Sequence, residues 1–197
     1  MTTVYFIRHA EPNYYNHDDL SRELSTKGLQ DSQLIRQIFK DRHIDAIFSS
    51  PYKRAIDTIK STAIDHQLDI QEIDDFRERK INRVWIENFT AFTSAQWHGF
   101  SYKLSDGESL QEVQDRNVTA PEKLLEDHRH QIILIGSHGT AISTIINYYQ
   151  RQFSYAEFSK IKSLFPFILK MTFRDKECLA INLCNPFTGE THEIYPI

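Results

Sequence analysis

Short apolar runs rich in β-formers alternate along this chain with stretches whose apolar residues recur every third or fourth position, and this alternation constrains the fold most. Ile132-Ile133-Leu134-Ile135-Gly136 is the clearest run. Val4-Tyr5-Phe6-Ile7 reads as a first buried strand and Ile44-Asp45-Ala46-Ile47-Phe48 as a second. Leu68 to Ile73 alternates apolar and polar, which suits a third strand nearer an edge. Near the end, Ile168 to Phe173 and Cys178 to Leu183 flank the polar Arg174 to Glu177 and predict a hairpin.

Helical patterns lie between these runs. Ser25 suits an N-cap for a helix carrying Leu34, Ile35, Ile38 and Phe39 on one face. Pro51 suits the first turn of a helix that turns Ala55, Ile56, Ile59 and Ala63 inward. Ser105 and Glu108 have capping-box spacing ahead of a helix that runs to about residue 127. Ala141, Ile142, Ile145, Ile146 and Tyr149 line a further helix face. Strands separated by helices of this length need crossover connections, so the chain is expected to be α/β, with a three-layer α/β/α arrangement and a mostly parallel central sheet. The pattern weakens between about Glu78 and Gly107, a stretch containing Trp85, Phe89, Phe92, Trp97, Phe100 and Tyr102. That stretch reads as a small helical insertion, at about residues 79–107, over one end of the sheet of a single domain spanning residues 1–197.

The formal net charge of -4 argues against a nucleic-acid partner, which would call for clustered Lys and Arg. The N-terminal apolar run is too short for a secretory segment or a membrane span. If Cys178 and Cys184 share a strand, they stand roughly 20 Å apart, too far for a disulfide. Free thiols fit a reducing, cytoplasmic setting. Oligomeric state is not readable from the sequence.

In a parallel α/β sheet, ligands bind beyond the carboxyl ends of the strands. The first strand is followed by Arg8, His9 and Glu11, and the second by Ser49, Ser50, Pro51 and Arg54. Arg77 and Glu78 follow the third strand, and Ser137, His138 and Gly139 the fourth. Arginine forks grip phosphate oxygens in pairs. Helices starting near Pro51 and Gly139 would aim free N–H groups at the same point. A histidine held neutral by nearby Arg8 and Arg54 can attack phosphorus, and a carboxylic acid can protonate the leaving oxygen.

Arg8-His9-Ala10-Glu11 resembles the Arg-His-Gly signature of the histidine phosphatase superfamily, also called the phosphoglycerate mutase-like family. The resemblance continues through Leu24 to Gln30, Ser49 to Ala55, Phe76-Arg77-Glu78, Gly107-Glu108-Ser109 and Ser137-His138-Gly139-Thr140, in the family's order. It implies a metal-independent phosphatase in which His9 becomes a transient phosphohistidine. It also implies that Arg8, Arg54 and His138 bind the substrate phosphate, and that Glu78 donates a proton and then activates water. No cofactor is implied, and the expected partner is a small phosphorylated substrate rather than a nucleic acid or a membrane. Ala10 replaces the usual glycine. Tyr15 stands where the family often has asparagine, and Trp85-Ile86-Glu87 is the nearest match to a Trp-Glu-Gly element.

Plainer readings accompany these. Arg77, Arg79 and Lys80 make Glu78 part of what reads as a solvated charged run, with Glu87 and Glu11 as substitute donors. His17-Asp18-Asp19 reads as a polar loop near the site mouth rather than a metal set, and His128-Arg129-His130 as the end of a helix. The aromatic stretch reads as packing. Two other functions compete: a phosphomutase that returns the phosphoryl group to its substrate, and a noncatalytic phosphate-binding protein. At 197 residues the chain favours hydrolysis, because mutases of this family are usually longer.

Overall fold

The computed structural model describes residues 1–82 and 86–195. A seven-stranded sheet runs in the order β3-β2-β4-β1-β5-β6-β7. Its strands are β1 (Thr2–Arg8), β2 (Ala46–Ser49), β3 (Ile70–Glu72), β4 (Ile132–Ser137), β5 (Ile168–Arg174), β6 (Glu177–Cys184) and β7 (Thr191–Tyr195). β3, β2, β4 and β1 are mutually parallel, and β5, β6 and β7 continue antiparallel from β1. The expected hairpin is β5–β6, and β3 is the edge strand of the parallel half. β7 was not foreseen from the sequence. Cys178 and Cys184 both lie on β6 as free thiols.

The helices are α1 (Thr26–Phe39), α2 (Lys53–His66), α3 (Phe89–His98), α4 (Leu110–Asp127), α5 (Gly139–Tyr149) and α6 (Tyr155–Ile161). They cover both faces because side chains alternate along each strand. Val4, Phe6, Ile133 and Ile135 pack with α4 and α5 residues such as Leu124, Leu125, Ile142 and Ile145. Their neighbours Tyr5, Ile7 and Leu134 pack on the other face with Ile35, Phe39, Ile59 and Ala63 of α1 and α2. The near-continuous apolar runs of β1 and β4 are what a strand buried on both faces requires.

Two helix starts differ from the sequence expectation. α2 begins at Lys53 with Tyr52 as N-cap, so Pro51 precedes the first turn instead of lying in it. The capping box of α4 is Ser109–Glu112, one turn beyond Ser105–Glu108. Both pairs satisfy the spacing, but Glu108 is occupied elsewhere. Its carboxylate accepts from Arg77, Arg116 and the Lys80 backbone N–H. Ser25 caps α1 as expected, accepting from the Gly28 N–H.

The aromatic segment contains α3. Trp97 stacks on Phe158 at 5.2 Å and meets Phe100 and Phe153 edge-on or tilted, so this part of the stretch is packing. Trp85 lies outside the described residues. Among the described residues, no helix is long and apolar enough to cross a membrane.

Candidate active site

β1, β2 and β4 end side by side, and the next residue or two of each carries chemistry. His9 follows β1 and is 5% exposed. Its Nδ1 lies 2.7 Å from the Ala10 carbonyl. A carbonyl only accepts, so Nδ1 carries the proton. Burial holds the ring well below its usual pKa, reinforced by Arg54 and then Arg8. The sequence reading named the arginines as the cause; desolvation is the larger one. A neutral ring protonated at Nδ1 leaves a lone pair on Nε2, and Arg54 Nε donates to it at 3.4 Å.

Arg54 lies in the first turn of α2, 3% exposed. Its Nη1 donates to the Asp19 carbonyl at 2.7 Å, and its guanidinium lies 4.9 Å from the Tyr52 ring centroid. Burial lowers its pKa, with Asp19 and Glu78 opposing. Arg8 at the end of β1 is held more tightly. Its Nη atoms donate to the carbonyls of Ile161, Lys162 and Leu164, and Phe165 lies 3.6 Å under the guanidinium. Gly139 packs against its other side, where a Cβ would stand 2.9 Å from three guanidinium atoms. Burial pushes Arg8 down to about 10, still a cation at neutral pH. Its Nε is buried with no partner among the described residues.

His138 is the N-cap of α5 and fully buried. Its ring centroid lies 5.2 Å from that of His9, and its Nε2 lies 2.8 Å from Ser50 Oγ. Burial first, then Arg54 and His9, keep it neutral, and its Nδ1 has no partner among the described residues. Arg8 Nε and His138 Nδ1, on residues adjoining His9 in the chain and in space, are thus both buried without a partner among the described residues. Buried groups of this kind call for an explanation, and a bound anion is one.

Glu78 follows a short 3-10 turn (Asp74–Phe76) after β3. Its carboxylate accepts from the Thr140 N–H at 3.1 Å and the Arg79 N–H at 2.9 Å, which fastens it to the first turn of α5 beside His138. The charged run around it is not simply solvated. Arg79 is 3% exposed, its guanidinium donating to Gln96 and Thr93 of α3. Arg77 turns to Glu108. Of the substitute donors, Glu11 accepts from Ser25 Oγ at 2.7 Å, and Glu87 is exposed.

The structure therefore gathers Arg8, His9, Arg54, His138 and Glu78 at one sheet edge. Asp18 is taken by Ser21, and Asp19 lies between Arg22 and Arg54. Among the described residues, no group of three or more His, Cys, Asp or Glu could hold a metal ion. The sequence reading placed Asp19 in a loop near the site mouth and Ser50 and Tyr52 in the stretch after the second strand without giving them a role, and it did not find Phe165. Ser50 carried a signal, because it follows a parallel strand; Phe165 carried none, because only tertiary packing brings it under Arg8.

Neutral imidazoles beside buried guanidiniums, at the carboxyl ends of parallel strands, define an α/β enzyme that handles phosphate esters. The chain belongs to the histidine phosphatase superfamily: the family model for branch 1 matches residues 4–180. It is 25% identical over 159 residues to phosphoglycerate mutase-like protein 4 of Arabidopsis thaliana, covering 72% of this chain and 68% of that one. It is 26% identical over 160 residues to putative phosphoserine phosphatase 2 of Hydrogenobacter thermophilus, covering 74% and 77%. The fold matches a mutant phosphoserine phosphatase from Entamoeba histolytica in complex with phosphoserine, with TM-score 0.71 at 22% identity over 90% of this chain and 94% of that one.

Proposed function

We propose that this chain is a metal-independent phosphatase that hydrolyses a small phosphate monoester through a phosphohistidine on His9. The observation that carries this reading is the hydrogen bond from His9 Nδ1 to the Ala10 carbonyl, which leaves a nucleophilic lone pair on Nε2 beside Arg54. Nε2 bonds to phosphorus as the bond to the leaving oxygen breaks, and protonated Glu78 gives that oxygen its proton. The ring gains positive charge, which the Ala10 carbonyl stabilises through Nδ1–H. Glu78, now a carboxylate, then takes a proton from the water that attacks phosphorus. The N–P bond breaks, inorganic phosphate leaves, and both residues return to their starting state. Arg8, Arg54 and His138 offset charge on the phosphoryl oxygens, where most catalysis of this reaction lies.

The relatives named for phosphoserine support a small phosphorylated metabolite as substrate. The test is hydrolysis of p-nitrophenyl phosphate in excess chelator by the wild type and by His9→Ala, with an assay for acid-labile phosphate on the protein. Activity that survives chelator and vanishes with His9 supports the reading. Activity that requires metal, or that persists without His9, overturns it. The likeness to a phosphoglycerate mutase-like protein keeps one second reading, phosphoryl return to a substrate hydroxyl. It is distinguished by whether water or a second substrate molecule accepts the phosphoryl group.

A further inference from the structure

The motif Gly107-Glu108-Ser109 and the buried part of α4 have no role in the chemistry above, yet they hold the segment that presents Glu78. Ser109 caps α4. At Gly107 a Cβ would stand 2.1 Å from the Ile81 carbonyl oxygen, so only glycine lets the two backbones approach this closely. That approach lets the Glu108 N–H donate to the Lys80 carbonyl at 2.7 Å and the Glu108 carboxylate accept the Lys80 N–H at 2.8 Å.

Arg116 on α4 completes the arrangement. A guanidinium has five N–H donors, and acceptors surround this one. Nε and Nη2 form a two-pronged pair with the Glu108 carboxylate at 3.0 and 3.1 Å. Nη1 donates to the carbonyls of Asp75 and Arg77, each at 2.7 Å, and Nη2 to that of Glu78 at 3.3 Å. The acid segment has left the sheet by this point, so Arg116 supplies what a strand neighbour would otherwise supply. Ser137 Oγ takes the Phe76 carbonyl between them, at 3.3 Å.

We propose that Arg116 and Glu108 are positioning residues that set the Glu78 carboxyl for proton transfer; this rests on the reading of Glu78 as proton donor. The hydrogen bonds of Arg116 go to Glu108 and to the carbonyls of residues 75, 77 and 78, and only its charge, which lysine would keep, is felt at His138. Arg116 acts through the backbone of residues 75–78, and Glu108 orients it. Only a planar fork can serve three carbonyls and a carboxylate together, so lysine is not an equivalent replacement.

The test uses the dependence of kcat/KM on the leaving group. p-Nitrophenolate departs without a proton, whereas the leaving group of phenyl phosphate needs one. Glu78→Gln should lose on the order of 10²-fold or more on phenyl phosphate and far less on p-nitrophenyl phosphate. Arg116→Lys and Glu108→Gln should show the same selectivity at a smaller size, about 10-fold to 10²-fold on phenyl phosphate. Arg116→Lys in the Glu78→Gln background should add no further loss. Inhibition by inorganic phosphate, unchanged in Arg116→Lys and Glu108→Gln, reports an intact phosphate pocket. If Arg116→Lys does not fold, Glu108→Gln carries the same comparison. Selective loss in Glu78→Gln with equal, absent or additive loss in the other two overturns the positioning role and leaves Glu78 as donor. A uniform loss in Glu78→Gln overturns the donor reading and this proposal with it.

Discussion

Lowering the pH from about 7 to about 5.5 should destabilise the protein through His9 and His138. Both rings are buried and held neutral, chiefly by desolvation, with folded pKa values well below the ordinary 6.5. The unfolded chain takes up these protons near pH 6.5 while the folded chain refuses them, so stability is complete above that pH and falls below it. Each ring costs on the order of 1 kcal/mol over this interval, and the pair about 2–3 kcal/mol. Against a usual total of about 5–15 kcal/mol, that loss is large. For a chain of this length it lowers Tm by about 5–10 °C. Carboxylates held low by hydrogen bonds, such as Glu23 and Glu108, lose their contribution only nearer the ordinary carboxylate range and do not confuse the interval. The assay is thermal unfolding followed by circular dichroism at both pH values and constant ionic strength. His138→Asn should retain about half of the pH dependence. A wild-type Tm that does not move, or a dependence equal in wild type and variant, would refute the buried, neutral pair.

Other outcomes follow from the same contacts. Gly139→Ala sets a Cβ against the Arg8 guanidinium, which three carbonyls keep from moving aside; inhibition by inorganic phosphate should weaken by about 10-fold or more while the fold is retained. Ser50→Ala leaves a fully buried imidazole nitrogen without its partner and should cost about 1–3 kcal/mol in urea unfolding. Phe6→Ala empties a fully buried site in the middle of the sheet and should cost about 3–5 kcal/mol by the same measurement.

Much of the candidate site was legible because its members sit next to strands in the chain. A strand buried on both faces announces itself as a continuous apolar run, and the residues just beyond it fall at the carboxyl edge. Arg8, His9, Arg54 and His138 were found in this way. Helix starts were less legible, because local rules admit neighbouring solutions. Ser105–Glu108 and Ser109–Glu112 share one spacing, and the choice was made by Arg116, which claims Glu108.

The sequence by itself determined the alternation of strands and helices, the two-faced burial of β1 and β4, and the charged and imidazole side chains following each strand, since all of these are properties of neighbouring residues. Only the tertiary structure decided which charges are buried and what they hold. Arg79 reads as solvated in a charged run yet lies inside α3's packing, and Arg116 finds the carbonyls of a segment 38 to 41 residues earlier in the chain. Phe165 reaches Arg8 across an even longer separation. Such partners cannot be read from a local pattern, because a guanidinium's bonds depend on which carbonyls the folded chain leaves without a strand or helix neighbour.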